Sequence, residues 1–465
     1  MKRTSRLRGR CLATCLIGWI ALLNFTGAAA DASAPTTRKS PDWLRQSVVY
    51  EIFPRNFSKE GTFNAITARL DELKDLGVDV LWLMPIHPIG QKMKKGSIGS
   101  PYSVRDYYAV NPDYGSTNDL KQLIAGAHQR GMKVILDIVA GHTSWDSVLM
   151  AHPEFYKKDA SGNIIPPNPG WTDVAGLNYE NQELRRYMVE MLKYWLKEFS
   201  VDGFRCDVAF TVPIDFWNNA RAELEQVHPD VIMLADANAA PGLLAKAFNM
   251  DNSSALHAAL NRVLSGVAPA YLLNRSWVNT MQLFPEGALH LRFTDNHENT
   301  RAVARFGLSG ALAAQVFMLT LDGVPLFYNG MEVGDAAESN DPALFEKMPI
   351  NWSPSGRPAL REIYRHLIKL RKQNPAFSND NVAWLQNTTA SEVISIARKD
   401  DKNEFVILIN FSSRMVSGTV EVPNAEAFTP LKIDGVPAAP ASPLPEFRLG
   451  GYEWRIFQRS QAKPD

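Results

Sequence analysis

A chain of 465 residues with 45% hydrophobic content has material for one large domain and a smaller one, each with its own core. Its 49 basic and 49 acidic residues cancel, and no basic stripe breaks the balance. That excludes the electrostatic footprint of a nucleic-acid binder and suits an uncharged substrate.

The first thirty residues have the pattern of a removable leader. Lys2, Arg3, Arg6, Arg8 and Arg10 form a basic start, an apolar run extends from Cys11 to Phe25, and Ala28-Ala29-Ala30 supplies a small-residue cleavage signature. The apolar run is shorter than the roughly 20 residues of a membrane span, and no later stretch is expected to be long enough. The expectation is therefore a signal peptide over 1–30 and an exported protein, periplasmic or extracellular, with no membrane association after cleavage. Taking the five leader cations from 49 leaves 44 basic residues against 49 acidic ones. Cys11 and Cys15 leave as well, so Cys206 is the only thiol and no internal disulfide can form. Residues 31–44, rich in Ala, Ser and Thr at their start, are expected to be a flexible tether.

From Val48 short apolar runs alternate with amphipathic helical stretches. Val48–Phe53, Val78–Met84, Lys133–Val139, Val201–Asp207, Val231–Ala235, Leu289–Phe293 and Val324–Tyr328 are predicted strands. Ala65–Leu76, Ser116–Arg130, Asn181–Phe199, Gly310–Leu321 and Pro358–Lys372 are predicted helices, the second opened by a Ser-Thr-Asn-Asp cap region. This alternation predicts an α/β fold, a (β/α)8 TIM barrel over 45–378. An irregular insertion over 143–178, after the third strand, is placed to shape a site. Beyond 379 the pattern shifts to period two, as in Phe405-Val406-Ile407-Leu408-Ile409, which predicts a C-terminal antiparallel β-sandwich domain over 379–465.

Catalytic groups of such a barrel come from the C-terminal ends of its strands. Those ends hold Asp137 and His142, Arg205 and Asp207, Asp236, and the run Asn296-His297-Glu298. Arg205 and Asp207, two apart on a strand, project to the same side. A cation there is expected to keep the carboxylate ionised, as a nucleophile for sugar chemistry requires.

Asp137-Ile-Val-Ala-Gly-His142, Gly203-Phe-Arg-Cys-Asp207, Leu234-Ala-Asp236 and Phe293-Thr-Asp-Asn-His-Glu298 together resemble the four motifs of the α-amylase family of glycoside hydrolases (GH13 type). The resemblance extends through Pro101-Tyr102-Ser103-Val104-Arg105-Asp106-Tyr107 and Gly323 to Gly330, and covers nearly the whole mature chain. It implies a retaining double displacement on α-1,4-linked glucans, starch-like polymers or maltooligosaccharides. By position, Asp207 matches the nucleophile, Asp236 the general acid/base and Glu298 the third carboxylate that grips the sugar. Arg205 matches the residue that orients the nucleophile, supported by Asp137. His142 and His297 match hydroxyl-binding histidines, and Tyr102 a stacking aromatic. The resemblance leaves open a transglycosylase or maltogenic-type enzyme, and a catalytically impaired glucan-binding homologue.

Two departures stand out. The family pattern has Glu as acid and Asp as third carboxylate, and this chain has them exchanged, with no Glu between Glu225 and Glu286. Asp236 is one methylene short for its place, and a misplacement of about 1 Å can cost around 10²-fold in rate. The longer Glu298 is expected to compensate. The family's calcium site uses an Asn before the first-motif His and a backbone group near a His after the nucleophile, where this chain has Gly141 and Phe210. The expectation is no metal at that place and no cofactor.

Overall fold

The computed structural model describes residues 37–337, 341–353, 360–436 and 442–460. The leader and the first part of the tether lie outside the described residues. Strands β1 (Val49–Ile52), β2 (Val80–Leu83) and β3 (Lys133–Ile138) lead into a short antiparallel pair, β4 (His142–Ser144) and β5 (Val174–Gly176). The wall then continues through β6 (Gly203–Cys206), β7 (Ile232–Ala235), β8 (Met250–Asn252), β9 (Leu289–Arg292) and β10 (Val324–Tyr328). Eight of these close into a parallel barrel in the order β1-β10-β9-β8-β7-β6-β3-β2. The expected TIM barrel is the observed fold.

Period two along each strand fixes what the barrel holds. Val49, Val80, Ile135, Ile232, Leu234, Met250, Leu289, Leu291, Val324 and Leu326 fill its interior as one apolar cluster. Two residues further along the same strands come Glu51, Trp82, Asp137, Asp236, Asn252 and Phe293, so a polar layer sits directly on the apolar plug. Arg205 joins it from β6, opposite Asp137 in the ladder. The strand β6 approaches β7 too closely at Gly203 for any side chain: a Cβ there would lie 2.0 Å from the Ile232 carbonyl oxygen.

Several expectations need correction. The strand β8 has only three residues, and Met-Asp-Asn carries no β-branched pattern; pairing with Leu234 and Leu289 holds it in the wall. Ala65–Leu76 is two short helices, Phe63–Thr67 and Leu70–Leu76, because the chain leaves helical geometry at Arg69. The insertion is not wholly irregular, since it contains β4 paired with β5. The described end of the tether is docked, not free. Arg38 N donates to Leu244 O at 2.9 Å, Ser40 Oγ to Asn249 O at 3.0 Å, and Leu44 is fully buried. Finally, one later helix, Ala302–Thr320, is long and apolar enough to cross a membrane. Here it packs inside the protein, with Phe317 edge-on to Trp384 and Phe411 of the C-terminal region.

The C-terminal region comprises β11 (Val382–Trp384), β12 (Val393–Lys399), β13 (Asn403–Asn410), β14 (Val416–Thr419), β15 (Thr429–Pro430), β16 (Glu446–Leu449) and β17 (Trp454–Ser460). A five-stranded sheet, β11-β12-β13-β17-β15, and the pair β14-β16 enclose a core that includes Val406, Leu408, Phe447, Leu449 and Phe457.

Candidate active site

One guanidinium organises the polar layer. Arg205 Nη1 lies 2.9 Å from Asp137 Oδ1 and 2.8 Å from Asp207 Oδ1, and Nη2 lies 2.8 Å from Asp236 Oδ2. A planar fork presents two separate nitrogens to three carboxylates at fixed angles, whereas an ammonium would be a single point charge on a flexible stem. Burial disfavours the charge on Arg205, but Asp137, Asp236 and Asp207 outweigh it and hold its pKa well above the usual range. Asp137, fully buried, also accepts from Trp82 Nε1 at 3.1 Å and Tyr102 OH at 3.1 Å. Burial raises its pKa, against the pull of Arg205.

The other side of the layer runs through Tyr102 and His297. The Tyr102 hydroxyl lies 3.1 Å from Asp137 Oδ2 and 2.7 Å from His297 Nε2, and His297 Nδ1 is hydrogen-bonded to Glu51. Both ring nitrogens are thus engaged, and a proton on each would make the ring an imidazolium. Burial opposes that charge, yet Glu51 and Glu298 carry the pKa of His297 upward. Tyr102 and His297 also stack, with centroids 5.2 Å apart.

Tyr102, His142, Trp171, Asp207, Val208, His297 and Glu298 line a pocket of about 250 Å3, closed on one side by Leu344 and Phe345. His142 meets Trp171 edge-to-face, and burial lowers its pKa to about 4, so it is neutral at pH 7. Asp236 is not part of this lining. Its Oδ2 takes Arg205 and the Val208 N–H, and its Oδ1 takes Asn252 Nδ2 at 2.8 Å. Glu298 is the reverse case: its side chain is 56% exposed, and its nearest charged neighbour is His297 Nε2 at 4.0 Å.

All seven residues expected at the site, with Asp137 beneath them, thus come together around Arg205 and the pocket; Asp236 bonds Arg205 without being among the pocket's lining residues. Sequence reasoning missed Glu51, Trp82, Asn252 and Trp171. Glu51 carried a signal, an acid inside the apolar run Val48–Phe53, and it is fully buried. Val208 adds backbone strain beside Asp207, since a β-branched residue at φ 39° is in the left-handed region. Among the described residues no group of three or more His, Cys, Asp or Glu could hold a metal ion. At Gly141 a Cβ would lie 2.9 Å from Thr211 Oγ1.

Arg205 was expected to keep Asp207 ionised, and that needs correcting. Burial pushes the Asp207 pKa up to about 8; Arg205 opposes this, and Asp236, Asp137 and Glu298 reinforce it. One cation shared among three carboxylates is not enough. The folded protein therefore holds a proton at Asp207 that the unfolded chain, near 3.8, releases. Where the folded state binds more protons, stability falls as pH rises. The non-titrating variant Asp207→Asn should gain on the wild type between about pH 4 and pH 8. Melting temperatures at pH 5 and pH 8 check this; a difference that stays constant or shrinks refutes it.

Residues 39–161 and 170–407 match the model of the alpha amylase catalytic domain. The chain belongs to the α-amylase family of glycoside hydrolases. It is 28% identical over 405 residues to alpha-amylase MalA of Haloarcula japonica, covering 83% of this chain and 58% of that one. To the intracellular maltogenic amylase of Bacillus subtilis it is 27% identical over 429 residues, 80% of this chain and 70% of the other. A crystal structure of a noncanonic maltogenic alpha-amylase, AmyB from Thermotoga neapolitana, superposes with a TM-score of 0.81 at 29% identity, over 90% of this chain and all of that one.

Proposed function

We propose that this protein is an exported α-glucan hydrolase that cleaves α-1,4-glucosidic bonds of starch-like polymers or maltooligosaccharides with retention of configuration. The observation that carries the reading is Asp207, held by Arg205 over Asp137 at the floor of the pocket formed by Tyr102, His142 and His297. An oxygen fixed there can attack an anomeric carbon and form a glycosyl ester, which water then opens. The neutral His142 offers a hydrogen bond to ring hydroxyls, and Tyr102, seated on His297, offers an aromatic surface. The proton for the leaving oxygen comes from one of the two remaining carboxylates. Product analysis on starch, maltooligosaccharides and cyclodextrins, with Asp207→Ala as the blank, tests the assignment; products that persist in the blank defeat it. Export is tested by cell fractionation, where a full-length chain retained in the cytoplasm counts against it.

One observation favours transfer to sugar as a second activity. Phe210, on the turn after Val208, is 51% exposed and offers an apolar face on which an acceptor sugar can stack in place of water. Phe210→Ala should lower the ratio of longer-chain to hydrolysis products from maltotriose by severalfold. Chromatography of the products decides, and an unchanged ratio removes this reading.

A further inference from the structure

Of the three carboxylates matched to catalytic roles, two remain to handle the proton, and their surroundings differ sharply. A general acid must place an O–H within about 2.6–3.2 Å of the leaving oxygen, then act as base toward water. Asp236 faces only donors: Arg205 Nη2 at 2.8 Å, Val208 N at 3.2 Å and Asn252 Nδ2 at 2.8 Å. Both oxygens are thus engaged by the protein, and the side chain is 13% exposed against 56% for Glu298, so Asp236 would have to give up one of these bonds to reach a leaving oxygen. Glu298 lines the pocket beside Asp207 and is one methylene longer. Among the described residues no protein group lies within hydrogen-bonding distance of its carboxyl oxygens, His297 Nε2 being 4.0 Å away. The loop beneath it is fixed, because the Glu298 N–H donates to Asn296 Oδ1 at 3.1 Å.

We infer that Glu298 is the general acid/base of this protein, and that Asp236 is a positioning residue that locks Arg205 and the Val208 turn. The exchange of residue types between the two places is then an exchange of roles. The inference rests on the hydrolase reading above. In the first step the ionised form of Asp207 forms a bond from a carboxylate oxygen to C1. The C1–O bond breaks with its electron pair on the leaving oxygen, which takes the proton from Glu298. In the second, Glu298 removes a proton from water as the water oxygen bonds to C1. The ester bond's pair returns to Asp207, so both carboxyl groups end as they began.

The test compares Glu298→Ala and Asp236→Asn on two substrates. Maltotetraose has a leaving oxygen that needs a proton, and α-maltosyl fluoride has a leaving group that does not. Glu298→Ala should lose about 10²–10⁴-fold on maltotetraose. On the fluoride it should give a fast first release, then slow turnover that sodium azide speeds, with α-maltosyl azide as product. Asp236→Asn should lose activity on both substrates in parallel and show no azide effect. Leaving-group selectivity and azide rescue in Asp236→Asn, or parallel losses in Glu298→Ala, overturn the inference. A wild-type protein inert to both substrates overturns the hydrolase reading and this one together. Glu298 is largely solvent-exposed, so its variant should fold, and circular dichroism of both variants confirms that the rates compare folded proteins.

Discussion

Asp207→Ala is expected to lower turnover of maltooligosaccharides by about four to six orders of magnitude, the range seen when a covalent nucleophile is removed. At 1.36 kcal/mol per tenfold, that is roughly 5–8 kcal/mol of transition-state stabilisation. The size follows from geometry. Arg205 Nη1 bonds one oxygen of Asp207 at 2.8 Å and holds its carboxyl at the pocket, whereas Asp173, also in the lining, pairs with Lys95 at 3.0 Å. Folding should not suffer, because the lost group is a buried acid whose ionisation burial disfavours. Activity and stability should thus separate: the rate collapses while the melting temperature at pH 8 holds or rises. Added azide, entering the space the carboxyl leaves, should restore part of the rate and give a β-glycosyl azide. An α-product, or a rate within tenfold of wild type, would remove Asp207 from the role.

Much of this arrangement was legible in the chain because barrel geometry turns sequence position into location. A residue at the C-terminal end of a buried parallel strand must face the mouth, so Asp137, Arg205 and Asp207 could be placed from strand periodicity alone. What failed to show were features set by partners distant in sequence. The strand β8 exists because Leu234 and Leu289 flank it, not because Met-Asp-Asn favours a strand. Trp82 and Asn252 look like ordinary strand residues until the closed barrel brings them to Asp137 and Asp236. The state of Asp207 was misjudged for the same reason. The sequence exhibits one cation two residues away, whereas the fold adds two further carboxylates to that cation and removes the water. Position assigns the proton to Asp236, while the hydrogen bonds around it leave Glu298 as the carboxyl open to substrate.

The second large effect falls on stability. Arg205→Met keeps the side chain's length and removes its charge, which leaves Asp137, Asp207 and Asp236 around an apolar stem. Removing one partner from a buried ion cluster costs about 3–5 kcal/mol, because the surviving charges lose compensation while staying out of water. Burial already raises the pKa values of Asp137 and Asp207 against the pull of Arg205. Without Arg205 both rise further, so the folded variant binds protons that its unfolded chain releases. Its stability should then climb as pH falls toward the ordinary carboxylate range, and the deficit against wild type should be largest near pH 8 and smaller near pH 5. Urea unfolding of both proteins at the two pH values measures this directly. Arg205→Lys should recover part of the stability through its charge. A point-like ammonium lacks the fork's two fixed nitrogens, so the nucleophile loses its aim and the rate should still fall by about 10²-fold. A deficit below about 1 kcal/mol, or one that does not depend on pH, would show that the three carboxylates do not depend on this guanidinium.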